Sequence, residues 1–159
     1  VMGRGAGHIA LWCGIANGAE DVLIREKYDY DEQRLINNII DSRKRGKKHH
    51  IIVNAEGIGH SEAMAKRIEA ATGIETRATI LGHMQRGGVP TCKDRVYAST
   101  MGAYAVDLLV QGKSCRVVAY RNGVYVDLDI NEALAMQKGV SEYQWEVMTS
   151  LSQNYRKED

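Results

Sequence analysis

The sequence predicts an α/β fold: a parallel sheet flanked by helices, followed by a C-terminal antiparallel hairpin and two terminal helices. Three observations carry that expectation. Segments of helical and strand period alternate along the chain. The run Ile51-Ile52-Val53, β-branched throughout, empties into a glycine-containing loop, as a buried parallel strand does at its carboxyl end. Asn122-Gly123, the dipeptide of tight two-residue turns, lies between two strand-like runs.

Taken in order, Leu11, Trp12, Ile15 and Ala16 repeat at helical spacing from His8, and Asn17-Gly18 closes that helix. Asp21 to Ile24 reads as a short strand. Leu35, Ile36, Ile39 and Ile40 form one apolar stripe in a polar segment from Asp29 to Arg45, an amphipathic helix that Gly46 terminates. After the Ile51-Val53 strand, Ser61 is placed to cap a helix bearing Met64, Ala65 and Ile68. Glu62 and Lys66 are spaced to pair on it, and Gly73 stops it. Thr76 to Leu81 reads as the next strand. Asp94 to Gly112 reads as a long helix, with Tyr97, Met101, Tyr104, Ala105 and Leu108 at steps of three and four. Arg116 to Tyr120 and Val124 to Leu128 form the hairpin arms. Asp129 with Glu132, and Ser141 with Gln144, resemble capping boxes opening the last two helices. The methionines and tryptophans, Trp12 among them, read as core.

A chain of 159 residues has the length of one domain, and 44% hydrophobic with 26% charged residues is an ordinary globular balance. The net charge is +1, from 21 basic and 20 acidic residues, so no global field draws nucleic acid or an anionic membrane. An anion site, if present, is local. Cys13, Cys92 and Cys115 are odd in number and widely spaced, which opposes a disulfide framework or a zinc site and favours a reducing, cytoplasmic setting. No apolar run reaches the roughly 20 residues that span a bilayer. The opening Val1-Met2-Gly3-Arg4 reads as the end of a strand running into a glycine turn, as in a piece of a longer polypeptide.

In parallel α/β sheets, ligands gather outside the carboxyl ends of the strands. Three segments qualify. Met2-Gly3-Arg4-Gly5 precedes the first helix, Glu56 follows the Ile51-Val53 strand, and His83 and Arg86 follow Thr76-Leu81. Arg86 is suited to grip a phosphate in bidentate fashion, with His83 as a second donor, and the adjacent glycines let the backbone approach. For Glu56 two readings stand, acceptor for sugar hydroxyls or ion-paired structural carboxylate. Arg77 in an otherwise uncharged strand reads as a salt bridge or a subunit contact. The densest basic run is Arg43-Lys44-Arg45-Gly46-Lys47-Lys48-His49-His50. It fits a helix C-terminus well, yet it directly precedes a buried strand, where several ammonium groups can converge on a polyphosphate with no opposing acid nearby. It lacks the interleaved aromatics of a nucleic-acid surface.

These segments together resemble the C-terminal half of a bacterial-type ATP-dependent 6-phosphofructokinase. The resemblance runs from Met2-Gly3-Arg4 through Asn17-Gly18-Ala19-Glu20, Arg45-Gly46-Lys47-Lys48-His49, Ala55-Glu56-Gly57 and Glu75-Thr76-Arg77 to Leu81-Gly82-His83-Met84-Gln85-Arg86-Gly87-Gly88-Val89-Pro90, and on to the hairpin. It implies the family's Rossmann-like layers, with a fructose 6-phosphate and effector domain over 1–86. The remainder, 87–159, would pack largely on an N-terminal ATP domain, with the last helix returning to the sugar-binding domain. It implies that Met2, Gly3, Arg4, Glu56, His83, Met84, Gln85 and Arg86 bind fructose 6-phosphate, with Arg77 reaching a neighbouring subunit of a homotetramer. Gly18, Ala19, Glu20, Arg45, Lys47, Lys48 and His49 would bind an allosteric effector, ADP or phosphoenolpyruvate, Glu20 meeting the effector's Mg²⁺. ATP and the reaction's Mg²⁺ would be held mainly by the N-terminal half, whose glycine-rich loop and catalytic aspartate do not occur in this sequence. The 159 residues alone are therefore expected to be inactive. A pyrophosphate-dependent relative and a non-catalytic sugar-phosphate or nucleotide sensor are the alternatives.

Overall fold

The computed structural model describes residues 1–27, 31–136 and 139–152. It divides into two compact units, one formed by 1–86 with the chain from Gly139 onward, the other by Gly87–Lys138.

In the first unit, α1 (His8–Asn17) leads through Gly18, a left-handed cap with φ 63°, into β1 (Asp21–Leu23). After a 3-10 turn at Arg25–Lys27 comes α2 (Glu32–Lys44), capped by the Asp31 side chain accepting from the Arg34 amide. The expected start of this helix at Asp29 lies outside the described residues. β2 (Ile52–Asn54) pairs in parallel with β1, Val22 opposite Val53, and α3 (Ser61–Thr72) follows.

Alternation along both strands sorts the core into two layers. Val22 and Val53 pack with Ala10, Leu11 and Ile24 on the side that also takes Val140, Met148 and Trp145; Leu23 and Ile52 pack with Leu35, Ile36, Ile39, Met64 and Ile68 of α2 and α3. The partners at 140, 145 and 148 come with α6 (Glu142–Leu151) and the two residues before it, Ser141 capping the helix by accepting from the Gln144 amide. On the same side α1 comes close to the sheet because Gly14 has no side chain: a Cβ there would lie 2.2 Å from Val22 Cγ2.

Four expectations are corrected in this unit. Thr76–Leu81 is not a strand: 74–81 carries no helix or strand, because an extended segment becomes a strand only when a neighbour pairs with it. Ser61 does not cap α3. The cap position is His60 at φ 54° with no side-chain bond, and Ser61 Oγ instead accepts from Asn54 Nδ2 at 2.8 Å. Trp12 is 65% exposed, its indole donating to Gln144 Oε1, and Met84 is exposed as well. No Glu62–Lys66 ion pair forms among the described residues.

In the second unit α4 (Cys92–Val110) opens on a reciprocal capping box between Thr91 and Asp94, and buries Leu108. β3 (Arg116–Arg121) and β4 (Val124–Asp129) pair antiparallel around Asn122 and Gly123, both at positive φ as the turn requires. Tyr97 of α4 meets Tyr120 and Tyr125 of the hairpin, and Asp129 caps α5 (Ile130–Ala135) through the Asn131 and Glu132 amides. No helix among the described residues is long and apolar enough to cross a membrane.

Candidate functional site

The first four residues run beside the carboxyl end of β2. The Val1 nitrogen donates to the Asn54 carbonyl at 2.7 Å, and the Glu56 amide donates to the Val1 carbonyl at 2.8 Å. Gly57 N–H reaches the Gly3 carbonyl at 3.3 Å. Only glycine fits at 57, because a Cβ would stand 2.4 Å from the Arg4 carbonyl oxygen. The loop after Glu56 is fixed from below by Asn54, whose Nδ2 donates to the Gly59 carbonyl and to Ser61 Oγ.

The third wall is the 3-10 turn Gly82–Arg86. Gln85 accepts from the Met2 amide at 2.9 Å and donates to the Gly82 carbonyl, holding the turn against the N-terminal segment. Arg86 Nε donates to Met2 Sδ at 3.2 Å. Met2, Glu56, Arg77, His83 and Gln85 all line a cavity of about 620 Å³. Gly3, Arg4, Met84 and Arg86 do not line it. Arg86 is nonetheless tied to the lining residue Met2, while Met84 is 77% exposed. Among the described residues the side chains of Glu56 and His83 make no hydrogen bond, so an acceptor and a donor face the same hollow uncommitted. Arg77 pairs with Glu75, both well exposed.

The second predicted cluster lies at the opposite end of the strands. Gly18 and Ala19 turn the chain from α1 into β1, with the Ala19 amide on the Gly14 carbonyl. Glu20 is 3% exposed, one oxygen paired with Lys47 Nζ and the other accepting the Ile51 amide. Burial pushes the Glu20 carboxyl up, but the Ile51 amide and the Lys47 ammonium together bring it below its ordinary value. This corrects the expectation that the basic run has no opposing acid: Lys47 has one. Arg45 bonds Ser42 Oγ, and Arg45, Lys48 and His49 are exposed. His50 Nε2 lies 2.7 Å from Asp21 Oδ2. No group of three or more His, Cys, Asp or Glu able to hold a metal occurs among the described residues.

Asn54 and the Asp21–His50 contact were not read from the sequence. An asparagine closing an Ile-Ile-Val strand was a signal for the first. The second needed the strand register.

The family model described as Phosphofructokinase matches residues 1–109. The chain belongs to the phosphofructokinase family. Over 152 residues it is 49% identical to an ATP-dependent 6-phosphofructokinase of Clostridium botulinum strain Hall and 47% identical to one of Clostridium novyi strain NT, in each case across 96% of this chain and 47% of the relative. The chain thus spans about half the length of these phosphofructokinases. Among solved structures it resembles the phosphofructokinase of Saccharomyces cerevisiae, with TM-score 0.75, 28% identity, and 97% of this chain against 21% of that one. The T-state Pichia pastoris phosphofructokinase gives TM-score 0.72 and 26% identity, covering 97% and 17%. The α/β expectation agrees with the phosphofructokinase fold, although the parallel sheet holds two strands among the described residues.

Proposed function

We propose that this chain supplies the acceptor-sugar and effector half of a 6-phosphofructokinase that transfers the γ-phosphoryl of ATP to the 1-hydroxyl of fructose 6-phosphate, in the cytoplasm, as a step of glycolysis. The convergence of Met2, Glu56, His83 and Gln85 on one cavity, with Arg86 held on Met2, is the observation that carries the reading. A carboxylate able to accept from sugar hydroxyls stands near donors able to take a phosphate, the division of labour a hexose phosphate demands. Met2, Gly3, Arg4, Glu56, His83, Met84, Gln85 and Arg86 form the sugar-phosphate site, and Arg77 exchanges Glu75 for a ligand in a neighbouring subunit of a homotetramer.

Phosphoryl transfer relies on positioning and on neutralising charge. In this reading His83 and Arg86 fix the 6-phosphate while Glu56 orients the ring, leaving the 1-hydroxyl toward the donor. ATP and Mg²⁺ belong to the other half of the parent enzyme, which also contributes the general base, and the 87–138 unit packs largely against that half. Gly18, Ala19, Glu20, Arg45, Lys47, Lys48 and His49 form the effector site for ADP or phosphoenolpyruvate. Glu20 would have to release Lys47 to meet the effector's Mg²⁺. The relatives' designation as ATP-dependent supports this donor over pyrophosphate.

Isothermal titration of fructose 6-phosphate into the chain and into Arg86→Ala tests the site. Loss of a charge-assisted hydrogen bond, about 1.5–3 kcal/mol, predicts affinity weakened roughly tenfold or more. Unchanged affinity overturns the assignment.

A further inference from the structure

Among the described residues the guanidinium of Arg86 has a single hydrogen-bond partner, and that partner is a thioether: Nε donates to Met2 Sδ at 3.2 Å, and no carboxylate pairs with it. A thioether sulfur is a weak acceptor. Met2 is itself fixed through its backbone. Its amide donates to Gln85 Oε1 at 2.9 Å, and Gln85 Nε2 donates to the Gly82 carbonyl, so the N-terminal segment and the turn keep sulfur and guanidinium side by side. Met2 is partly exposed and lines the open cavity, where small solutes reach it.

The other methionines stand differently. Met64 and Met148 are buried in the two core layers, while Met84 and Met136 are exposed with no hydrogen bond to either sulfur among the described residues. Met2 alone among them has its sulfur on a cation of the proposed sugar-phosphate site.

The weakness of the acceptor has a consequence for that cation. An anionic oxygen outcompetes a thioether for a guanidinium, so the contact presets Arg86 and gives it up to ligand. A sulfoxide reverses this. It replaces a weak acceptor by an oxygen and an apolar side chain by a polar one, beside the group that the ligand must engage.

We propose that Met2 is an oxidation site, and that a hydroperoxide acting there weakens sugar-phosphate binding by tying up Arg86. A lone pair on Met2 Sδ takes the terminal oxygen of the peroxide; the S–O bond forms as the O–O bond breaks, sulfur is oxidised, and the peroxide is reduced to water or, from an alkyl hydroperoxide, to the alcohol. The sulfoxide oxygen then accepts from Arg86 Nε and removes that donor from the fork offered to the phosphate. Methionine sulfoxide reductase, with thiols as the reductant, returns the oxygen as water and frees the arginine. The inference rests on the reading of Arg86 as the residue that grips the phosphate.

The test is stepwise hydrogen peroxide treatment of the 159-residue chain and of Met2→Leu, with peptide mass mapping of every methionine and isothermal titration of fructose 6-phosphate at each step. The variant, whatever its own starting affinity, reports what oxidation at Met84 contributes. The parent is expected to lose about fivefold or more in affinity beyond any change in the variant, the worth of an ordinary hydrogen bond. That loss should follow conversion of Met2 and be restored by the reductase, with near-ultraviolet circular dichroism unchanged. Equal losses in parent and variant overturn the inference and leave the sugar site standing. So does a loss that arrives with the folded dichroism signal, which assigns it to Met64 and Met148 in the core. An untreated chain that binds no fructose 6-phosphate overturns the reading of the site, and the inference with it.

Discussion

The Nε of Arg86 donates to the sulfur of Met2 at 3.2 Å, joining a turn in the middle of the chain to its first residues. The guanidinium proposed to grip the sugar's phosphate is therefore held by the same segment that meets Glu56 and Gly57 through the backbone. Alignment of the site depends on that segment staying in place.

Gly57→Ala tests this dependence. The added methyl meets the Arg4 carbonyl oxygen at 2.4 Å and Arg25 Cδ at 2.8 Å, and the backbone oxygen has little room to yield. Forced overpacking of this kind costs about 1–3 kcal/mol. Chemical denaturation should show that loss, and fructose 6-phosphate titration should show weaker binding even though no ligand-facing side chain has changed.

Lys47→Met leaves the buried Glu20 carboxylate facing the Ile51 amide without its ammonium partner. Breaking a buried pair in this way costs about 3–5 kcal/mol. The pH dependence also shifts. In the unaltered chain the Glu20 pKa is depressed, so its stabilising contribution is complete above the ordinary glutamate range and is lost as pH falls through the folded value. In the variant, burial has less to oppose it, the pKa rises, and the onset of acid unfolding should move to higher pH. Denaturation curves across acid pH give both quantities, and a variant as stable as the parent refutes the pairing.

On the hairpin, Asp127 accepts from Tyr104 Oη at 2.8 Å and from Arg116 Nε at 2.7 Å. The Tyr104 hydroxyl and the Arg116 guanidinium hold its carboxyl below the usual range. Tyr104→Phe removes the larger of these influences. Carboxyl-carbon NMR titration should place the Asp127 midpoint higher in the variant than in the parent, and an unmoved midpoint would show that the hydroxyl does not reach it in solution.

Trp12 and Trp145 should be separable by fluorescence, since Trp12 is 65% exposed while Trp145 packs on the core. Trp12→Phe is expected to shift emission to shorter wavelength and reduce acrylamide quenching, with stability changed by no more than about 0.5 kcal/mol. A large loss of stability would return Trp12 to the core.

Features set by local spacing were legible in the sequence. The apolar stripe of Leu35, Ile36 and Ile39, the glycine stop at Gly18 and the Asn122-Gly123 turn are each determined within a few residues, and each is present. The placing of Met2 and Glu56 on one hollow was legible through the rule that ligands collect at strand ends, whereas His83 was reached through a strand that does not form and Gln85 only through the family resemblance. Relations between distant segments were not legible. Thr76–Leu81 has the composition of a strand, but pairing belongs to two segments at once. The Lys47–Glu20 pair was hidden for the same reason, because a dense basic run gives no sign of which buried acid one of its members will meet. Ser61 had the right chemistry for a cap, and Asn54 claimed its hydroxyl first.

The first unit is discontinuous, drawing Val140, Trp145 and Met148 from the far end of the chain onto Leu11 and Val22, while the hairpin and α4 are built from neighbours in sequence. During synthesis the hairpin and α4 can therefore form as soon as they emerge, whereas the layer over β1 stays unsealed until α6 has left the ribosome. For that interval the apolar face of α1 is exposed, making it the stage at which chaperone capture or aggregation has its best opportunity.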